Sequence, residues 1–360
     1  EELSVENLVQ TMVKGGYSSD ISLLFGGDIL CQSSQLDLAY DSTKEGYDFA
    51  ECFADIASYV KNADYSVLSL KTTFAGAYNG VATEYRGYGT DGGQSNCPES
   101  MAVNIADAGF DLVNLATNHA MDSGTAGIAS TIDFLDQARL AHVGTASEQD
   151  SIKSYTELIS GIKVGFIGYT TSTKVQVPSD ESYMLNLADP SNESQVKALC
   201  ARVSELNSDC EFVVVLLNFG DVNSTEIEPE QKKLAQSIAD AGASVIVGTG
   251  SRAMKPAQKL YSRDFEGNDH ETLVFYGLGS ILSSEHYQSD DALDVDLSAL
   301  IRLNVSRIGV ADPVIAGFEV MPIYADWTDE ALISRPIAKI KNTSDYEGQM
   351  SSNDLERVDY

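Results

Sequence analysis

Two short runs, Phe212 to Leu217 and Ser244 to Val247, are apolar at nearly every position and do not alternate with polar residues. A strand of that kind is buried on both faces, which requires layers above and below its sheet. The neighbouring sequence supplies such layers. Strand-like runs at Ile21 to Phe25, Tyr65 to Leu70, Asp111 to Leu115 and Lys163 to Gly168 alternate with helical patterns at Phe49 to Asn62, Pro98 to Ala108 and Thr125 to Ala138. After a polar stretch, Gln176 to Ser194, the rhythm resumes. Helices read at Gln195 to Leu206 and Glu230 to Ala241, and another strand at Leu273 to Tyr276. Beyond residue 297 it changes: Leu297 to Val305 and Val314 to Met321 read as strands with no helix between them, an antiparallel finish. The tail from Lys341 to Tyr360 is polar and reads as peripheral. The chain is therefore of the α/β class.

Charge excludes some partners. Lys and Arg total 23 against 54 Asp and Glu, a formal charge of −31. Such a chain does not bind nucleic acid or anionic lipid through bulk charge. Its 43% hydrophobic content suffices for a full core. No apolar run reaches the ~18 residues a membrane helix needs, so membrane attachment is expected only through a segment upstream of Glu1. The five cysteines, Cys31, Cys52, Cys97, Cys200 and Cys210, show no C-x-x-C spacing, which argues against a zinc ribbon. Cys200 and Cys210 bracket a helix-to-strand turn and either pair or, with the others, remain buried thiols. The odd count favours thiols.

Chemistry is concentrated where strands end. Gly26-Gly27-Asp28 follows the first strand, and a carboxylate there sits where α/β folds place their sites. An ordinary turn explains the same residues. The run Asn114-Leu115-Ala116-Thr117-Asn118-His119-Ala120-Met121-Asp122-Ser123-Gly124 is more specific. Asn118 offers a carbonyl oxygen, His119 is a candidate general acid and Asp122 a candidate to orient it. A capped helix start, with Ser123 or Asp122 as N-cap, is the competing account. Of the four histidines, only His119 lies in such a block; His142, His270 and His286 read as helix-end or loop residues. The glycine-rich stretch Gly76 to Asn96 reads as a long surface loop, with Tyr78, Tyr85, Arg86 and Tyr88 as an aromatic rim or as ordinary packing. The acidic run Glu285 to Asp296 reads as a solvated face or a loose calcium site.

In order, Gly27-Asp28, Ser69-Leu70-Lys71, Thr117 to Gly124, Asn218-Phe219-Gly220-Asp221, Gly248 to Pro256 and Tyr276-Gly277-Leu278-Gly279-Ser280 resemble the bacterial capsule-synthesis family (CapA/PgsA-type, poly-γ-glutamate). The resemblance covers roughly residues 20 to 325. It implies a four-layer α/β/β/α sandwich of calcineurin-like metallophosphoesterase type, with a di-metal site at the strand ends. It divides the chain into an N-terminal extension (1–19), that domain (20–325) and a peripheral C-terminal segment (326–360). The family pattern reads G-D, N-L-E, N-N-H-x-x-D-x-G, H-W-G-x-E, G-x-H-P-H and S-L-G-N-F. Asp28, Asn118, His119, Asp122 and Gly124 fit it. Lys71 replaces the metal-binding Glu, Asn218 the first His of H-W-G, Gly250 and Arg252 the two His of G-x-H-P-H, and Ser280 the Asn of G-N-F.

The ancestral metal positions are thus Asp28, Lys71, Asn118, Asn218, Gly250 and Arg252. Charged Lys and Arg do not ligate a divalent cation. The expected cofactor is accordingly none, with Mn, Fe or Zn as the alternative if hydrolysis survives. Lys71 and Arg252 are candidates to hold an anion, or to salt-bridge a relic of the old site. The leading functional expectation is a non-hydrolytic protein on the extracellular face of a bacterial membrane. It would assist assembly, export or retention of an anionic polymer, in contact with that polymer or with capsule-synthesis membrane proteins. An active metal-dependent phosphoesterase and a surface partner-binding module are the alternatives.

Overall fold

A computed structural model describes residues 18–31, 33–76, 88–91, 94–149, 154–220, 224–263, 269–282, 297–328 and 331–336. Two sheets carry the fold. In the first, β1 (Ser18–Ile29) has β4 (Tyr65–Leu70), β7 (Leu112–Asn114) and β8 (Ala141–Val143) on one side, all parallel. On its other side lie the antiparallel β16 (Leu297–Ile308), β17 (Val314–Thr328) and β18 (Ala331–Pro336), while the short β15 (Ser280–Leu282) pairs with the end of β1. In the second sheet the order is β13 (Met254–Arg263), β14 (Asp269–Leu278), β12 (Val245–Thr249), β11 (Phe212–Asn218), β10 (Ile162–Thr170), β9 (Ser154–Ile159). Two small hairpins, β2 (Tyr40–Asp41) with β3 (Gly46–Tyr47) and β5 (Gly89–Asp91) with β6 (Gln94–Asn96), stand apart.

Alternation along the strands sorts the core into three sets. Leu23, Phe25 and Val67 of the first sheet meet Val164, Phe166, Val214 and Leu216 of the second, in a layer between them. The opposite faces go outward. Leu24, Leu68 and Val113 pack against α1 (Ser33–Ala39), α2 (Ala50–Phe53), α3 (Ala57–Val60), α4 (Ser100–Ala108) and α5 (Gly124–Ala138). Val213, Val215, Leu217 and Ile246 pack against α6 (Glu193–Asp209) and α7 (Pro229–Asp240). The order helix, sheet, sheet, helix is the four-layer α/β/β/α sandwich expected from the sequence, and β11 and β12 are buried at every residue. The apolar side chains of these strands have no solvent-facing side, which is why they read as continuous runs.

Several expectations need adjustment. The helix expected over Phe49 to Asn62 is two short helices, α2 and α3, joined by a turn. The 325 boundary falls inside β17, and β18 pairs along that strand, so the first sheet reaches Pro336. His142 and His270 lie on β8 and β14, not at helix ends or in loops. Nε2 of His142 lies 3.4 Å from Asp136, and that of His270 donates to the Ala243 carbonyl at 2.8 Å. All five cysteines are free thiols, so Cys200 and Cys210 do not pair. His286, Tyr78, Tyr85, Arg86, the run Glu285 to Asp296 and the tail from Lys341 lie outside the described residues.

Candidate functional site

The parallel strands β1, β4 and β7 of one sheet and β11 and β12 of the other end at a common edge. Asp28 is next to last on β1, and Lys71 follows β4 directly. Asn118, His119 and Asp122 lie in the turns after β7. Asn218 closes β11, and Gly250 follows β12. Gly27, inside β1, lets the Gly279 backbone approach the strand end closely, because a Cβ there would stand 2.1 Å from the Gly279 carbonyl oxygen.

The centre is an ion pair closed by backbone. The Lys71 ammonium lies 3.5 Å from Oδ2 of Asp28 and donates to the Gly250 carbonyl at 3.2 Å. The Gly250 amide donates to the same Asp28 oxygen at 2.8 Å. Asp28 is fully buried and Lys71 is 2% exposed. Gly250 serves both charges because its backbone is left-handed, at φ +102°. A Cβ there would lie 2.9 Å from the Asn218 amide. Glycine at this position presents only an N–H and a C=O, and both are used.

Beside the ion pair, His119 Nδ1 and Asp122 Oδ2 lie 2.5 Å apart, and the Ser95 amide donates to the same carboxylate oxygen at 2.5 Å. Burial pushes the His119 pKa below its usual range. Asp122 opposes that shift, while the positive charges of Lys71 and Lys174 add to it. The shift favours the uncharged imidazole, with its Nδ1 facing the Asp122 carboxylate. Ser123 is the N-cap residue of α5, and no side chain caps that helix. The capped-start account of this block is not what Asp122 does; its oxygen is given to His119 and Ser95.

Neutral amides and hydroxyls link the two sheets. The Asn118 amide donates to Asn218 Oδ1 at 3.2 Å, and Asn218 Nδ2 reaches the Thr249 hydroxyl at 3.3 Å. Thr249 reaches Ser69, which also accepts from Asn114. Ser280 is buried opposite Asp28 on β15. Arg252, half-buried in a left-handed turn at φ +60°, belongs to the same loop as Gly250. The structure thus brings Asp28, Lys71 and Gly250 together, and separately pairs His119 with Asp122 and Asn118 with Asn218. Sequence reasoning missed Ser95, whose contribution is a backbone amide from the distant strand β6, and the Gly250 amide. Neither carries a side-chain signal. Tyr88, from the expected aromatic rim, donates to Glu99 at 2.8 Å and packs edge-on against Tyr47.

The residues do not fit a two-ion centre. Two acceptors have the character of ligands: Asp28 Oδ1 and Asn118 Oδ1 are buried without hydrogen-bond partners. Yet among the described residues no three His, Cys, Asp or Glu side chains converge to hold an ion. A divalent ion against Asp28 would also meet the Lys71 ammonium, a like charge in a buried setting.

Fold and site together define a four-layer α/β/β/α sandwich with an internal ion pair at its strand ends. The chain belongs to the family described as Bacterial capsule synthesis protein PGA_cap, which it matches over residues 22–285. It is 27% identical over 228 residues to the PGA biosynthesis protein CapA of Bacillus subtilis (strain 168), covering 62% of this chain and 53% of that protein. It is 21% identical over 337 residues to the Capsule biosynthesis protein CapA of Bacillus anthracis, covering 88% of this chain and 75% of that one. The chain therefore spans about half the length of the Bacillus subtilis relative. Solved structures similar to it include the calcineurin-like phosphoesterase YfkN of Bacillus subtilis, at TM-score 0.47 and 13% identity over 96% of this chain and 100% of that one. Another is a hypothetical protein from Thermus thermophilus, at TM-score 0.46 and 16% identity over 84% of this chain and 99% of that one.

Proposed function

We propose that this protein serves capsule synthesis without hydrolysing a substrate, as a surface component that assists assembly, export or retention of an anionic polymer such as poly-γ-glutamate. One observation carries the non-hydrolytic part: the Lys71 ammonium, 2% exposed, lies 3.5 Å from Asp28. An ammonium in that position neutralises the carboxylate that a metal would otherwise use. The family supports the capsule part, as do the names of the two Bacillus relatives. A charge of −31 repels a polyanion at long range, so this reading places polymer contact at a local basic spot or on capsule-synthesis membrane proteins. Surface location and an upstream anchor are part of the proposal. Within the described residues no helix is long and apolar enough to cross a membrane.

The second reading, a working metal-dependent phosphoesterase, draws on the partnerless oxygens of Asp28 and Asn118 and on the His119–Asp122 pair. Phosphoester turnover by the purified protein, with and without added Mn, Fe or Zn, separates the two. The proposal predicts none above background, and none in Lys71→Glu, since the site positions of the second sheet, Asn218 and Gly250, still offer no imidazole. Metal-dependent turnover abolished by His119→Ala favours the phosphoesterase.

A further inference from the structure

Three of the five cysteines gather behind the strand-end site. Cys31 lies just past β1 and Cys97 directly after β6, and both are fully buried. Cys52, on α2, packs against the same core cluster. Hydrogen bonds bring the first two together. The Ser95 hydroxyl donates to the Cys31 carbonyl at 2.6 Å, across 64 positions of sequence, and lies 2.7 Å from the Thr72 hydroxyl. The Thr73 amide donates to the Ser95 carbonyl at 3.3 Å, and the Cys97 amide to the Thr73 carbonyl at 2.8 Å. Side chains two apart in extended chain share a face, so Cys97 lies on the side of Ser95 that meets Cys31. There the two thiols share a hydrogen bond. The interaction of Cys52 with Cys31 is of the weaker through-space kind. Cys200 and Cys210 belong to the core on the far side of the second sheet.

We propose that Cys31 and Cys97 are a disulfide pair, which fastens the β5–β6 hairpin to the end of β1 and so holds the Ser95 amide on Asp122. The structure shows both as thiols, the reduced form of that pair. The hairpin has reason to be fastened. It joins neither large sheet, and a two-stranded ribbon is marginal by itself. Yet its Ser95 amide donates to the carboxylate oxygen that faces His119. Closure takes an oxidant, a small disulfide such as oxidised glutathione. One cysteine thiolate attacks it, the reagent's S–S bond breaks and one glutathione thiol leaves. The second thiolate then attacks the mixed disulfide and releases the other. Each protein thiol gives up its proton, and the two electrons go to the reagent. Burial, with the neighbouring Cys31 thiol adding to it, holds the Cys97 thiol well above its usual pKa range. The attacking species is the thiolate, so the pair closes while the chain folds, before burial.

The test uses the full chain, unfolded and reduced, then refolded with or without oxidised glutathione, alkylated and mapped by mass spectrometry. With the oxidant, a peptide joining Cys31 to Cys97 is expected, lighter by two hydrogens than its parts, with Cys52, Cys200 and Cys210 alkylated. The bridged protein melts at least ~4 °C above the reduced one. Amide exchange at Ser95 slows at least about tenfold on bridging. Cys97→Ala abolishes both gains, and Cys52→Ala keeps both. The comparison of oxidised with reduced wild type stands even where a variant fails to fold. Five alkylated cysteines after oxidative refolding overturn the proposal. So does a bridge that takes in Cys52, Cys200 or Cys210. A Cys31–Cys97 bridge that moves neither the melting temperature nor Ser95 exchange overturns it as well, since nothing is then fastened.

Discussion

The two sheets contribute unequally to the strand-end site. The first supplies the ion pair, the second carboxylate and the imidazole: Asp28, Lys71, Asp122 and His119. The second supplies an amide, a hydroxyl and one glycine's backbone, from Asn218, Thr249 and Gly250. A metal centre between two sheets needs anionic or imidazole donors from both. Here the second sheet contributes neutral hydrogen bonding from Asn218, Thr249 and Gly250, and the balancing positive charge comes from Lys71 on the first. The sheets are held together at this edge by the Gly250 backbone, which bonds both members of the ion pair, and by an amide network.

Breaking the ion pair has the largest expected effect. Lys71→Met leaves the Asp28 carboxylate buried and uncompensated, and should cost about 3–5 kcal/mol of unfolding free energy by denaturant titration. Asp28→Asn combined with Lys71→Met should recover most of that loss, since it removes both charges. If the double variant is no better than the single, the pair is not coupled as the geometry implies. Next comes the His119 side of the same sheet. Asp122→Ala strands the buried Ser95 amide and frees His119, an expected cost of about 2–3 kcal/mol by the same titration. The contribution of the second sheet is tested by Gly250→Ala. Its left-handed backbone and the crowding against Asn218 predict a loss of about 1–3 kcal/mol.

The smallest effect lies away from the site, in pH dependence. Burial lowers the His142 pKa below its ordinary 6.5, with Asp136 opposing. The unfolded chain then binds a proton that the folded one resists. Stability from this residue is full above pH ~6.5 and is lost as pH falls through the folded value. His142→Gln should flatten the stability-against-pH curve below pH ~6.5; an unchanged curve assigns the slope to other groups.

The layered fold was legible because burial on both faces leaves an unbroken apolar run, as in Val213-Val214-Val215-Leu216-Leu217. The edges were less so. β13 alternates between buried and exposed positions irregularly, because among the described residues part of its inner face has no sheet above it, and its strand character was hidden. The Phe49 to Asn62 segment has helical periodicity but breaks in two where Ile56 is needed in the core. At the site, side-chain chemistry was readable: Asp28, Lys71, His119 and Asp122 were all identifiable. That Lys71 reaches Asp28, and that the Gly250 backbone serves both, depends on a contact between residues 179 positions apart. No local pattern encodes such a contact.

The most direct test is a crystal structure of the protein grown and soaked with Mn, using anomalous diffraction at the strand ends. The ion-pair account predicts no anomalous peak between Asp28 and Asn218, and density for the Lys71 ammonium between Asp28 and the Gly250 carbonyl. Two peaks a few ångströms apart beside His119, with Lys71 swung out of the site, would contradict it.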